Sequence, residues 1–169
     1  MQKIGLFYAS STGNTEDAAK EIKDKFQDVE ISLHNIADAT DNEMQNYTHL
    51  ILGISTWGEG DLQDDWEEYI DNLNSENLNN KTVALFGLGD QEEYCDNYLD
   101  AMGTIYDKVV DSGATVVGSW PSDEYEHDDS KAIRDGEFVG LALDADNQDD
   151  MTTERIEAWI ELIKPYFIK

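Results

Sequence analysis

Residues 9–16, Ala-Ser-Ser-Thr-Gly-Asn-Thr-Glu, set the hydroxyls of Ser10, Ser11, Thr12 and Thr15 around Gly13 with no lysine or arginine among them. Hydroxyl donors, a glycine that lets the backbone come close and the outward-pointing amides of a helix start together suit a terminal phosphate. The stretch lacks the GxxxxGK[ST] pattern of a nucleoside triphosphatase and the spaced glycines of a dinucleotide site. The same residues also suffice for a capping turn in which a serine or threonine starts the helix.

Two further segments carry flat rings among polar groups. Ser55-Thr56-Trp57-Gly58-Glu59-Gly60-Asp61 offers an indole face with glycines that leave the backbone free to reorient. Residues 89–98 begin with Gly89-Asp90-Gln91 and supply a second ring, Tyr94, beside groups able to pair with ring nitrogens and oxygens. Taken singly, either aromatic is more often a lid on the core than a ligand platform. Taken with a phosphate loop on the same edge of a sheet, the set describes a site for a planar ring joined to one phosphate, as in flavin mononucleotide (FMN). His34, His49 and His127 are scattered and form no ligand spacing, so no metal is expected. Cys95 reads as a small filler beside Tyr94, and Trp66 and Trp159 as core residues of helices.

These loops need strands to present them. Apolar runs of strand length recur at 4–8, 50–54, 83–88 and 115–118, nearly continuous, as in parallel strands covered on both faces. Residues 29–35 alternate and read as an edge strand. Helical patterns lie between, at 15–26, 64–73, 99–112 and 152–167. The alternation predicts a single domain over 1–169, a doubly wound α/β sandwich built on a parallel sheet. Residues 119–150 are too long for an ordinary connection and read as an insertion that splits the last strand, with 138–143 either a further strand or irregular loop.

Composition narrows the partners. Eleven Lys and Arg against 38 Asp and Glu give a formal charge of -27 over 169 residues, a field that repels nucleic acid and anionic lipid and complements a basic protein. No apolar segment approaches a membrane span, the start has no signal-peptide pattern, and one cysteine fits a reducing compartment. The expectation is a soluble protein that is not exported, with no membrane insertion.

Over essentially its whole length the chain resembles the long-chain flavodoxins, through IGLFYASSTGNTE (4–16), STWGEGDLQDDW (55–66), GLGDQEEYCDNYLDAMG (87–103), DGEFVGLALDADNQ (135–148) and ERIEAWI (154–160). The resemblance implies an α/β flavodoxin-like three-layer sandwich with a five-stranded parallel sheet in the order 2-1-3-4-5, a monomer of the cytoplasm or, in an alga, of the plastid stroma, and FMN bound without a covalent bond. Ser10, Ser11, Thr12, Gly13, Asn14 and Thr15 would wrap the phosphate, and Trp57 and Tyr94 would sandwich the ring. Thr56 and the backbone of Gly58 and Glu59 would meet its edge, with Gly60 and Gly89 completing the two ring loops. Asp90 and Asn97 would lie near the pyrimidine portion and Asp146 near the ribityl side. Two departures stand out: Asn14 where relatives often have lysine, and Glu93 where many have the glycine of GDQxGY.

The implied function is low-potential one-electron transfer, cycling the flavin between semiquinone and hydroquinone, with no side chain as catalyst. The Gly58-Glu59 peptide is the one expected to turn its carbonyl toward the semiquinone's N5 proton. One negative charge at roughly 10 Å and an effective dielectric of about 20 adds on the order of 1.7 kcal/mol, or roughly 70 mV, against an anionic hydroquinone. Glu59, Asp61, Asp64, Asp65, Glu92 and Glu93 should therefore lower the second potential, less whatever salt screens. The implied partners are basic redox proteins such as ferredoxin-NADP reductase, or photosystem I in a photosynthetic host, with association rates that fall as salt rises. The same acids also suit a soluble surface with no partner. An FMN-dependent NAD(P)H:quinone oxidoreductase of the same fold is the alternative. A phosphoacceptor receiver is set aside, since paired acids after the first strand and an aspartate after the third are missing.

Overall fold

The computed structural model describes residues 3–9, 13–57 and 60–168, and the side chain of Trp57 is not among what it describes. The apolar runs form β1 (Lys3–Tyr8), β2 (Glu30–Asn35), β3 (His49–Trp57) and β4 (Thr82–Leu88), followed by β5 (Thr115–Val117) and β6 (Leu141–Leu143). All pair in parallel in the order β2-β1-β3-β4, and β5 and β6 share the outer edge of β4. Thr115 to Val117 lie opposite Thr82 to Ala84, and Leu141 to Leu143 opposite Phe86 to Leu88. The fifth position of the expected 2-1-3-4-5 sheet is thus two collinear pieces divided by the insertion. β2 is an edge strand, as its alternation predicts.

Continuous apolar strands follow from two-sided burial. Along β3, Leu50, Leu52 and Ile54 enter one apolar cluster and Ile51 the other, all fully buried. Helices α1 (Asn14–Lys25), α2 (Asp64–Tyr69), α3 (Asp100–Asp111) and α4 (Thr152–Phe167) close the two faces. Ala18 and Ile22 of α1 and Ile156, Trp159, Ile160 and Ile163 of α4 cover one face at helical spacing. Trp66 and Tyr69 of α2 and Met102, Ile105 and Val109 of α3 cover the other. Each fully buried side chain of this kind contributes about 1.5–3 kcal/mol. The tryptophans expected in the core are there, with their indole N–H groups satisfied: Trp66 donates to the Gly53 carbonyl at 2.8 Å and Trp159 to the Gly118 carbonyl at 2.9 Å. Among the described residues no helix is long and apolar enough to cross a membrane.

Three sequence expectations change. The helix expected at 64–73 ends at Tyr69 and tightens into a 3-10 turn over Ile70–Asn72. Leu99 does not start α3; it is the N-cap, held at φ +58°, and the helix begins at Asp100. The apolar piece 138–143 serves two sheets. Phe138 pairs with Trp120 and Ile133 in a small antiparallel ladder inside the insertion, and only Leu141–Leu143 joins the main sheet. Gly140 makes the switch possible, because a Cβ there would lie 2.2 Å from the carbonyl oxygen of Leu85. Asp135 and Gly136, both at positive φ (+55° and +86°), form the two-residue turn between Arg134 and Glu137.

Candidate functional site

β1 pairs on one side with β2 and on the other with β3, so strand order reverses at β1, and ligands of open parallel sheets sit outside the carboxyl ends at such a point. A cleft of about 270 Å³ opens there, lined by Asn14, Thr15, Ser55, Thr56, Leu88, Gly89, Asp90, Glu93, Tyr94, Ala145 and Asp146. Its walls come from the start of α1, the end of β3, and the loops after β4 and β6.

At one end α1 begins without a side-chain cap, because its N-cap is Gly13 at φ +94°, a conformation that favours glycine. A Cβ on Gly13 would meet nothing within 4 Å, so backbone conformation rather than space selects glycine there. Asn14 and the largely buried Thr15 bring the helix start to the cleft. At the other end Tyr94 is 37% exposed, on a turn organised by Asp90. The Asp90 Oδ1 accepts from the amides of Glu92 (3.1 Å) and Glu93 (2.9 Å) and from Asn147 Nδ2 (2.7 Å), while its carbonyl accepts from the Tyr94 amide at 3.1 Å. Burial pushes the Asp90 carboxyl up, but the hydrogen bonds from Glu93, Asn147 and Glu92 outweigh it and hold the group below its usual value. Opposite, burial and the charges of Asp90 and Asp144 push Asp146 up. The departure at Glu93 costs no unusual backbone. The non-glycine residues at positive φ among those described are Asn80, Leu99 and Asp135.

Of the residues picked from sequence, Asn14, Thr15, Thr56, Gly89, Asp90, Tyr94 and Asp146 meet in this cleft. Thr56 also accepts the Ala101 amide at 3.2 Å, tying β3 to α3. Gly13 borders the cleft as the cap of α1. Gly60 and Asn97 do not line it. Gly60, at φ +99°, packs against Asp100, and Asn97 Nδ2 donates to Asp100 Oδ2 at 3.2 Å. Ser10, Ser11, Thr12, Gly58 and Glu59 lie outside the described residues. Trp57 closes β3 in an antiparallel pair with Asp61, its backbone alone being described. Leu88 and Ala145 were not singled out, since a small apolar residue at a strand end carries no chemical signal.

The described lining has no histidine, cysteine, lysine or arginine. An anion would therefore be held by hydroxyls, amides and the helix start, and a flat ring by Tyr94. Outside the cleft, Cys95, Asp96 and Asp128 bring potential ligand atoms within 4.8 Å of one another, and the hydrogen bond between the thiol and Asp128 pushes the thiol's pKa up.

The sequence profile of the family described as Flavodoxin matches residues 6–159. A flavodoxin of Picosynechococcus sp. is 46% identical over 168 residues, covering 99% of each chain, and one of Nostoc sp. is 45% identical over 166 residues, covering 98% of each. A crystal structure of Fusobacterium nucleatum flavodoxin bound to flavin mononucleotide superposes with a TM-score of 0.93 at 33% identity, covering 99% of each chain.

Proposed function

The chain belongs to the flavodoxin family, and on that premise we propose that it carries single electrons on an FMN held without a covalent bond in the cleft between α1 and Tyr94. Such proteins transfer electrons and catalyse no reaction of a substrate, and the chain shares that character. The observation that carries the reading is the make-up of the cleft: a helix start capped by a left-handed glycine at one end, an aromatic turn at the other, and no cation among the described lining residues.

When bound, FMN supplies the one-electron chemistry, and the chain supplies placement and field. Gly13, Asn14 and Thr15, with the hydroxyls of Ser10, Ser11 and Thr12, would hold the phosphate. Tyr94 and Trp57 would hold the ring. Thr56, Gly58 and Glu59 would meet its edge, Asp90 fixes the turn that carries Tyr94, and Asp146 would serve the ribityl chain. Asn97 and Gly60 act one layer back, through Asp100. The acidic loops oppose an added electron and so keep the potential low.

The charge of -27 supports docking to basic redox proteins, of which ferredoxin-NADP reductase and, in a photosynthetic host, photosystem I are the proposed kinds. A monomer in a reducing compartment, the cytoplasm or a plastid stroma, completes the reading and is supported by the single cysteine. The test is reconstitution: apoprotein titrated into FMN is expected to quench the flavin's fluorescence with one site per chain, and full fluorescence at excess protein would end the reading.

A further inference from the structure

Asp144 follows β6 directly and is fully buried. Its carboxylate accepts five hydrogen bonds. Oδ2 takes the Gln91 amide at 3.0 Å, Gln91 Nε2 at 2.9 Å and Asn147 Nδ2 at 2.8 Å; Oδ1 takes the amides of Asp146 at 3.1 Å and Asn147 at 3.0 Å. A carboxylate taken out of water is costly unless donors replace its hydration, and N–H groups do so here. Those donors come from two loops that both contribute to the cleft and touch directly where Asn147 Nδ2 donates to Asp90 Oδ1 at 2.7 Å. Gln91 sits in the turn that ends in Tyr94, and Asp146 lines the cleft beside Ala145, with Asn147 next in the chain. The buried Gln91 also accepts the Glu126 amide at 2.6 Å, so the tie extends to the insertion.

We propose that Asp144 is a positioning residue for the ring end of the cleft. It touches no cleft surface itself but fixes the separation of the Tyr94 turn from the Asp146 wall, and so the slot into which a flat ring fits. The proposal rests on the flavin reading above. An asparagine at 144 keeps the shape and replaces an acceptor by a donor aimed at other donors, which loosens one loop from the other without opening a hole.

The experiment compares the wild type with Asp144→Asn for FMN, for riboflavin and, by apoprotein protection, for inorganic phosphate. FMN and riboflavin affinity are expected to fall roughly tenfold to hundredfold, the loss for a buried hydrogen bond to a charged group, with phosphate affinity unchanged. Unchanged riboflavin affinity overturns the proposal, and so does a riboflavin loss matched by an equal phosphate loss, which marks general loosening. A wild type that binds neither flavin defeats the flavin reading. Amide exchange on the unmodified chain then decides the tie by itself, and also where the variant fails to fold. Slow exchange at Gln91, Asp146 and Asn147, comparable to the sheet, supports the tie, and loop-like exchange overturns it.

Discussion

The guanidinium carbon of Arg155, in the first turns of α4, lies 4.2 Å from the ring centroid of Tyr125 in the insertion. Arg155 is only 4% exposed and also donates to Gln148 Oε1 at 2.7 Å, while its salt bridge to Glu124 is long at 3.8 Å. One buried cation thus clamps the insertion and the loop after β6 to α4. Losing a desolvated cation–π contact and a charged hydrogen bond should cost about 2–4 kcal/mol in Arg155→Ala. Glu124 is mostly exposed, so Glu124→Gln should cost less than about 1 kcal/mol. Urea unfolding of the apoprotein measures both, and equal losses would show that the salt bridge, rather than the stacked ring, holds the insertion.

Gly140 and Gly136 give a paired test of backbone room against backbone conformation. A Cβ at Gly140 meets a main-chain carbonyl in the sheet, whereas one at Gly136 meets nothing within 4 Å and suffers only from φ +86°. Gly140→Ala is expected to cost about 3 kcal/mol or more and to loosen β6 from β4, and Gly136→Ala about 1 kcal/mol. Thermal unfolding of the two variants checks the order, and a reversal would contradict the crossing assigned to Gly140.

The sheet was legible because two-sided burial writes near-continuous apolar runs, and the split last strand because its halves stand far apart in sequence. The inside of the insertion was less so. Phe138 and Leu141 belong to one apolar run yet to different sheets, and only the tight passage at Gly140 separates them. The Asp135-Gly136 pair does signal a two-residue hairpin, since both positions need positive φ. In the cleft, Tyr94, Asp90 and Thr15 announce themselves by type. Asp144 does not, because its role lies in amide donors from Gln91, Asp146 and Asn147 that no spacing encodes.

His127 packs against Tyr98 and Phe138, with ring centroids 5.4 and 5.3 Å apart. Burial lowers its pKa below 6.5, and the charges of Asp129 and Asp128 only partly oppose this. The unfolded chain therefore binds the proton more readily, so this residue's contribution is complete above pH 6.5 and is lost as pH falls through the folded value. Stability of wild type minus that of His127→Phe should shrink between pH 7.5 and about 5.5. Parallel stability curves in that window would contradict the assignment.

Tyr94 presents a flat face at the cleft, so Tyr94→Ala should weaken FMN binding about tenfold, or about 1.4 kcal/mol, and Tyr94→Phe should leave it nearly intact. Fluorescence titration measures both. Equal weakening by the two would place the hydroxyl, not the ring face, in the contact.

Stepwise photoreduction of the FMN-loaded protein, followed by its visible spectrum, bears most directly on the electron-carrier assignment. Two well-separated one-electron steps are predicted, with a long-wavelength absorption band that rises in the first and disappears in the second. A single two-electron bleaching with no such band would contradict it.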